Sequence, residues 1–294
     1  MDLARPSFAL CADLFANRRE RTPKTRFEGL WAAGSLAGLA GKTVAVVGSR
    51  APSDGGRAQA RALGEALARA GVCVVSGLAL GIDASAHEGS LAGGGPPLGV
   101  LGGGHRRFVP RRNRELAAAM LAAGGAVLSP FAPDEPARPP QFLQRNAVVA
   151  ALADAVVVVE AAARSGALNT ASWAADLGIE VLAYPGDVDR PKAAGCNALI
   201  RDGAILARGP DDVLEAIGLA PAGNAERRLR PAQLAAYTPV ERRILNRLAE
   251  GPNDFDTVAL EANASPGEVA AALVTLEIGG AIRRDATGAR YALA

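Results

Sequence analysis

Val156-Val157-Val158-Val159-Glu160-Ala161-Ala162-Ala163-Arg164-Ser165-Gly166-Ala167-Leu168-Asn169-Thr170-Ala171 is the stretch that decides how this chain folds. Four successive valines suit a strand buried on both faces, as in a parallel sheet whose two sides are covered by helices. Ser165-Gly166 then opens an Ala-rich segment, and the free backbone N–H groups of a helix start suit an anion. The run predicts strand, tight turn and helix in one piece, with an anion-binding geometry at the turn.

Outward from this stretch, the chain from residue 41 alternates short β-rich runs with Ala/Leu/Arg segments of helical period. Strands are expected near 43–48, 72–76, 98–101, 126–128, 155–160, 180–183 and 204–207. Helices are expected near 55–70, 83–92, 112–123, 144–152, 167–177, 196–201 and 211–217. This is an α/β pattern, a Rossmann-type doubly wound, mostly parallel sheet over residues 41–220. Residues 129–141 hold five prolines and no periodicity, which predicts a loop over the carboxyl edge of the sheet. Residues 1–40 read as a short, basic, mostly helical arm without further assignment.

Residues 221–235, with Pro, Gly, Asn and Arg, read as a linker. Beyond it, Thr238-Pro239-Val240-Glu241 is a helix start, and Ser265-Pro266-Gly267-Glu268 has the order of a capping box. A helix fits 254–262 between them, and residues 282–293 predict a hairpin turning at Thr287-Gly288. Three short helices and a hairpin make residues 236–294 a small C-terminal winged-helix domain.

No apolar run reaches the roughly 18 residues of a membrane span, and the first residues lack the basic-then-apolar order of a signal peptide. No membrane partner and a cytoplasmic location are the expectation. Cys11, Cys73 and Cys196 stand far apart, so reduced thiols are expected rather than disulfides or a metal site. The net charge of +2 hides a cluster of Arg106, Arg107, Arg111, Arg112 and Arg114 beside His105. Such a cluster is either a solvated face or the cationic rim of a phosphate pocket.

The usual nucleotide fingerprints are missing. Gly48 is followed by Ser49-Arg50-Ala51-Pro52 rather than a G-x-G-x-x-G, and no acid ends the second strand at Ser76-Gly77, which disfavours a dinucleotide. His87 and His105 have no spacing relation to a nucleophile or metal ligand set, so His87 is expected to pack or cap within a helix. No cofactor and no metal are expected. What remains is a set of turns at the carboxyl ends of strands, where ligands of open α/β sheets bind. They are Gly48-Ser49-Arg50, Ser76 to Asp83 with Gly77 and Gly81, Leu101 to Gly104 with Gly102, Arg164-Ser165-Gly166, and Pro185-Gly186 running on to Asn197. Glycine lets backbone N–H groups approach a phosphate, hydroxyls add donors, and Arg50 adds a bidentate charge. Together the five turns predict a phosphate-bearing ligand, with no evident base to do chemistry on it.

The same residues, in the same order, resemble the DNA-processing protein A (DprA/Smf) family over about residues 43–217. The resemblance runs through Val47-Gly48-Ser49-Arg50, Val75 to His87, Val100 to Gly104, Pro110 with Asn113, then Phe142 with Arg145 and Asn146. It continues through Ser165 to Ala171 with Thr170, Tyr184-Pro185-Gly186 and Gly195 to Ile200. It implies a non-enzymatic homodimer that binds incoming single-stranded DNA in natural transformation, protects it and helps load the RecA-type recombinase. The pocket it implies has backbone amides near Gly48, Gly77 and Gly166 holding phosphates, with Arg50 and Arg145 supplying charge. Two departures stand out. The family's Phe-Pro-x-Arg-Asn-Arg is Phe142-Leu143-Gln144-Arg145-Asn146-Ala147 here, and its Tyr before Pro110 is Val109.

With aromatic residues at 4% of the chain, electrostatics rather than base stacking should dominate binding. The winged-helix segment carries 6 basic and 8 acidic residues, with none basic between Ser265 and Gly280, so it reads as a protein-contact or modulatory module. The alternative class is a nucleotide-monophosphate phosphoribohydrolase of the lysine-decarboxylase-like type. Those enzymes follow their Gly-rich turn with a Glu, whereas Thr170 is followed by Ala171-Ser172-Trp173.

Overall fold

Period-two alternation sends successive strand residues to opposite faces, and the main sheet is built on that rule. The computed structural model describes residue 3 and residues 6–10, 27–219, 237–248, 253–284 and 290–293. The chain divides into two units, Met1–Leu219 and Ala220–Ala294. In the first, the strands are β1 (Ser7–Leu10), β2 (Gly29–Gly34), β3 (Thr43–Val47), β4 (Cys73–Ser76), β5 (Leu98–Val100), β6 (Ala126–Ser129), β7 (Ala155–Val158), β8 (Glu180–Ala183) and β9 (Ile205–Leu206). They form one sheet in the order β1-β2-β6-β5-β4-β3-β7-β8-β9. From β3 onward every pairing is parallel. This is the doubly wound sheet that the alternating pattern predicts.

The valine run shows why. Val156 and Val158 pack with Ala45 and Val47 on one face, while Val157 and Val159 pack with Val44 and Val46 on the other. All four valines are buried, and each contributes about 1.5–3 kcal/mol by leaving water. Helices α1 (Asp54–Arg69) and α2 (Ile82–Ala92) cover one face, through Leu63, Leu67, Ile82 and Ala86. The helix α3 (Arg114–Ala122) contributes Ala117 and Met120 to a smaller cluster with Leu78, Leu101 and Val127. On the opposite face lie α4 (Pro139–Ala151), α5 (Gly166–Asp176) and α6 (Ala194–Arg201), through Val148, Val149, Ala171, Ala174 and Cys196. The last helix, α7 (Pro210–Ala216), returns to the first face with Val213 and Leu214.

Two expectations need correction. The described residues of the 1–40 arm are mostly strand, with one short 3-10 turn at Ala37–Ala40: β1 and β2 pair antiparallel, and β2 pairs antiparallel with β6, extending the sheet. The Ala-rich run Leu30-Trp31-Ala32-Ala33 suggests a helix by composition, but sheet burial overrides that weak local preference; Leu30, Ala32 and Ala33 are buried. The proline-rich excursion also ends sooner than expected, because α4 begins at Pro139 instead of 144. Proline is compatible with a first helical turn, and Gln141 closes the start by accepting the Arg138 N–H through Oε1 at 2.6 Å.

The second unit holds α8 (Pro239–Leu248), α9 (Phe255–Glu261) and α10 (Pro266–Ile278), with a sheet of β10 (Asn253–Asp254), β11 (Ile282–Arg284) and β12 (Arg290–Leu293) ordered β10-β12-β11. Thr238 and Ser265 cap their helices as their sequence contexts predict, each in exchange with a glutamate, Glu241 or Glu268. Its described core is Ile244, Leu245, Leu248, Val269, Leu273, Leu276, Ile282 and their neighbours. The predicted linker at 221–235 and the Thr287-Gly288 turn lie outside the described residues.

Candidate functional site

The strand order reverses between β3 and β7: the chain moves outward to β4, β5 and β6 on one side and to β8 and β9 on the other. The loops leaving β3 and β7 therefore part, and a crevice opens at their carboxyl ends. A cleft of about 460 Å³ lies there. Its lining includes Gly48, Ser49, Arg50, Gly77, Asp83, Phe142, Arg145, Asn146, Ser165, Gly166 and Thr170, gathered from loops far apart in sequence.

Close packing explains the glycines. A Cβ on Gly48 would lie 2.6 Å from Ile82 Cγ1 and 2.8 Å from the Glu160 carbonyl oxygen, so only glycine lets the β3 loop press between β7 and α2. That loop is tied by Ser49 N–H to the Glu160 carbonyl at 2.7 Å, and by Ile82 N–H to the Ser49 carbonyl at 3.1 Å. The Glu160 carboxylate accepts from Ser53 N–H at 3.0 Å and from the Ser53 hydroxyl, anchoring the start of α1. On the other wall, Ser165 caps α5 by accepting from Ala167 N–H at 3.3 Å. Gly166, the first residue of α5, has no intrahelical partner for its N–H, and a Cβ there would meet only open space.

The floor contains a buried charge pair. Arg145 is 3% exposed and donates to the carbonyls of Gly77 and Val100, while Asp83, 5% exposed, accepts from Gly77 N–H at 3.1 Å and Ala79 N–H at 3.3 Å. Burial raises the Asp83 carboxyl, opposed by the Arg145 charge and by the two amides. Burial also pulls Arg145 down to about 10, against the attraction of Asp83, so the guanidinium stays charged at neutral pH. Asn113 holds the same turn by donating to Leu78 and Ala79 carbonyls at 2.9 and 3.0 Å. By contrast Arg50 is exposed, with its guanidinium 5.3 Å above the Phe142 ring.

Several sequence-picked residues stand elsewhere. Ser76 turns its hydroxyl inward to the Val46 carbonyl at 2.6 Å and does not line the cleft. Gly102 packs against Phe142, and Gly104 lets the proline-rich excursion approach, donating its N–H to the Glu135 carbonyl at 2.8 Å. Asn197 exchanges hydrogen bonds with Gly186 at 3.1 and 2.8 Å, pinning the loop after β8 instead of facing the cleft. Gly81, at φ 85°, stands at the tight turn into α2. The Gly77 amide, expected to meet phosphate, is occupied by Asp83, and Arg145 is a buried cation beneath the cleft rather than a free arm. His105 leaves the arginine cluster: it is buried, with Nε2 2.9 Å from the Val127 carbonyl, and burial lowers its pKa.

His87 packs inside α2 as expected. Both ring nitrogens lack a hydrogen-bond partner, and burial, reinforced by Arg145, lowers its pKa to about 3. Of the departures from the family pattern, Leu143 and Val109 are exposed and Ala147 is fully buried. Arg164, from the predicted Arg164-Ser165-Gly166 turn, is exposed on the cleft rim, whereas Glu160, the clamp, lies in the quoted run outside the predicted turns. The signal for Glu160 was position: it follows closely on the inner strand β7, at the reversal of strand order. Among the described residues no group of three His, Cys, Asp or Glu gathers to hold a metal, and no helix is long and apolar enough to cross a membrane.

Comparison with known proteins points the same way along the chain. The family model described as DNA recombination-mediator protein A matches residues 15–218, and the DprA winged helix domain matches residues 228–288. The chain is similar to protein Smf of Escherichia coli, 38% identical over 255 residues, covering 85% of this chain and 68% of that protein. It spans about two thirds of the length of the curated relatives it matches. Among solved structures, DNA processing protein A from Streptococcus pneumoniae superposes with a TM-score of 0.62 at 35% identity, over 67% of this chain and 69% of that one. DNA processing protein A from Helicobacter pylori, studied for its single-stranded DNA binding mode, superposes with a TM-score of 0.63 at 24% identity, over 72% of this chain and 95% of that one, a likeness of fold.

Proposed function

The chain belongs to the DNA recombination-mediator protein A (DprA/Smf) family, and from that premise we propose that it binds single-stranded DNA, without catalysis, in the cleft between β3 and β7. The observation that carries this reading is the pairing of an exposed, ring-stacked Arg50 and exposed Arg164 with the open N–H of Gly166 across one cleft. Cations and amides suit phosphodiester oxygens, and their spread over two walls suits a chain of phosphates more than one compact anion. Cations and amides of this kind engage phosphates rather than base edges, so binding reads the backbone and not the sequence. Phe142 supplies one stacking surface.

The lack of catalysis is supported by the same lining. Asp83 is the carboxylate lining the cleft among the described residues, and it is buried, with Oδ2 accepting from the Gly77 and Ala79 amides. A general base has to reach a proton on the ligand, and a buried carboxylate turned to the backbone amides of its own turn is poorly placed to do so. The biological role follows from the family: the protein acts as a homodimer that shields incoming single strands during natural transformation and hands them to a RecA-type recombinase in the cytoplasm.

Arg50→Ala tests the assignment of the cleft. Losing one phosphate contact should shrink the slope of log affinity against log salt by about 0.7 and weaken binding to single strands at low salt by about tenfold. Unchanged affinity and slope in this variant contradict the proposed cleft.

A further inference from the structure

Arg50 has two sides. On one it lines the cleft already described; on the other it lines a second hollow of about 550 Å³ with Arg57, Arg61 and Arg112, together with Asp54 and Glu88. Only a narrow ridge separates the two. At that ridge the turns after β3 and β4 touch: a Cβ on Gly81 would lie 2.4 Å from the Ser49 carbonyl oxygen and 2.6 Å from Pro52 Cδ. With Ile82 N–H bound to the Ser49 carbonyl as well, the ridge is rigid, and Arg50 sits on its crest.

The second hollow has surplus positive charge. Arg61 lies 3.5 Å from Glu88, both side chains half exposed, a weak neutralising pair. That leaves Arg57, Arg112 and the shared Arg50 facing the single carboxylate of Asp54. Arg57 and Arg112 are exposed side chains, one on α1 and one in the turn before α3, held apart by separate rigid elements. Two cations brought to one hollow by separate elements suit successive phosphates of an extended chain, because each neutralised phosphate releases bound counterions. The absence of any aromatic side chain among its lining residues makes the trough a backbone track with no platform for bases.

We propose that this second hollow continues the single-strand path: the strand leaves the β3–β7 cleft over Arg50 and its next phosphates run between Arg57 and Arg112. The inference rests on the proposed function of the first cleft. It explains why part of the arginine cluster, Arg112, belongs with the site while Arg106 does not, being paired with Asp134 at 2.6 Å.

The test compares oligothymidylates of about four and about twenty nucleotides, lengths that fill one hollow or span both. Fluorescence anisotropy is read for the full-length wild type and for the Arg57→Ala/Arg112→Ala double variant across a salt series. Both arginines are exposed, so the variant should fold as the wild type does. The expected result is that the variant binds the long strand about tenfold more weakly, with a salt slope reduced by about 1.4, and binds the short strand as the wild type does. A long-strand affinity and slope unchanged in the double variant, while Arg50→Ala still loses binding, overturns the second track and leaves the first cleft standing. A wild type that binds neither oligonucleotide at low salt overturns both.

Discussion

The two units of this chain handle charge in opposite ways. The sheet unit buries two opposite charges, Asp83 and Arg145, at its cleft floor and exposes Arg50, Arg57, Arg112 and Arg164 around it. The small unit keeps an apolar core, and its third helix, α10, carries Glu268 and Glu277 without a basic side chain. In winged-helix proteins that read duplex DNA, the third helix enters the major groove, where acidic side chains repel phosphate. The difference teaches that motif and charge need to be read together. A fold associated with duplex reading here carries acidic and no basic side chains on its third helix, whereas an open α/β sheet without a nucleotide fingerprint carries exposed arginines around its cleft.

The largest effect that could break this contrast is on the buried pair. Asp83→Ala leaves Arg145 charged and buried without its counterion and removes the acceptor for Gly77 and Ala79 N–H groups. It should cost about 3–5 kcal/mol in chemical denaturation. A loss within ordinary surface-mutation scatter, about 0.5 kcal/mol, would mean that the pair does not hold the cleft floor together.

The second effect concerns pH and belongs to the same unit. His87 has a folded pKa of about 3, below its ordinary 6.5, so the unfolded chain binds the extra proton between those values. Its contribution is therefore fully present above pH 6.5 and is lost as pH falls toward 3, at about 1.4 kcal/mol per pH unit. Replacement by Leu should remove that component. Denaturation midpoints at pH 7 and pH 5 should converge in His87→Leu and diverge in the wild type; equal divergence in both would locate the acid sensitivity elsewhere.

The smallest effect sharpens the comparison itself. Removing residues 221–294 leaves all three apolar clusters of the sheet unit intact. Single-strand affinity should stay within about threefold of the full chain, the size of an ordinary remote perturbation. A near-complete loss of binding would move the nucleic-acid surface into the small unit.

Much of this architecture was legible because local and global preferences agree. The valine run, the helix caps at Thr238 and Ser265, and the glycine turns each carry a short-range signal that burial then reinforces. The antiparallel strands at the edge were not legible, since Leu30-Trp31-Ala32-Ala33 takes its conformation from pairing with β6, a partner nearly one hundred residues away in sequence. In the site, residue types were readable but orientation was not. Arg50 and Arg145 look equivalent in the sequence, yet one is on a ridge facing solvent and the other lies under the sheet edge against carbonyl oxygens. The same blindness put Ser76 and Asn197 in the candidate site, because a turn's composition does not say which way its side chains point.

The most direct measurement is the anisotropy of labelled single-stranded and duplex oligonucleotides of the same sequence, titrated with the full-length protein across a salt series. The account predicts a clear preference for the single strand and an affinity that falls steeply as salt rises. Equal affinity for the duplex, or single-strand binding insensitive to salt, would contradict a cationic cleft that holds the backbone of one strand.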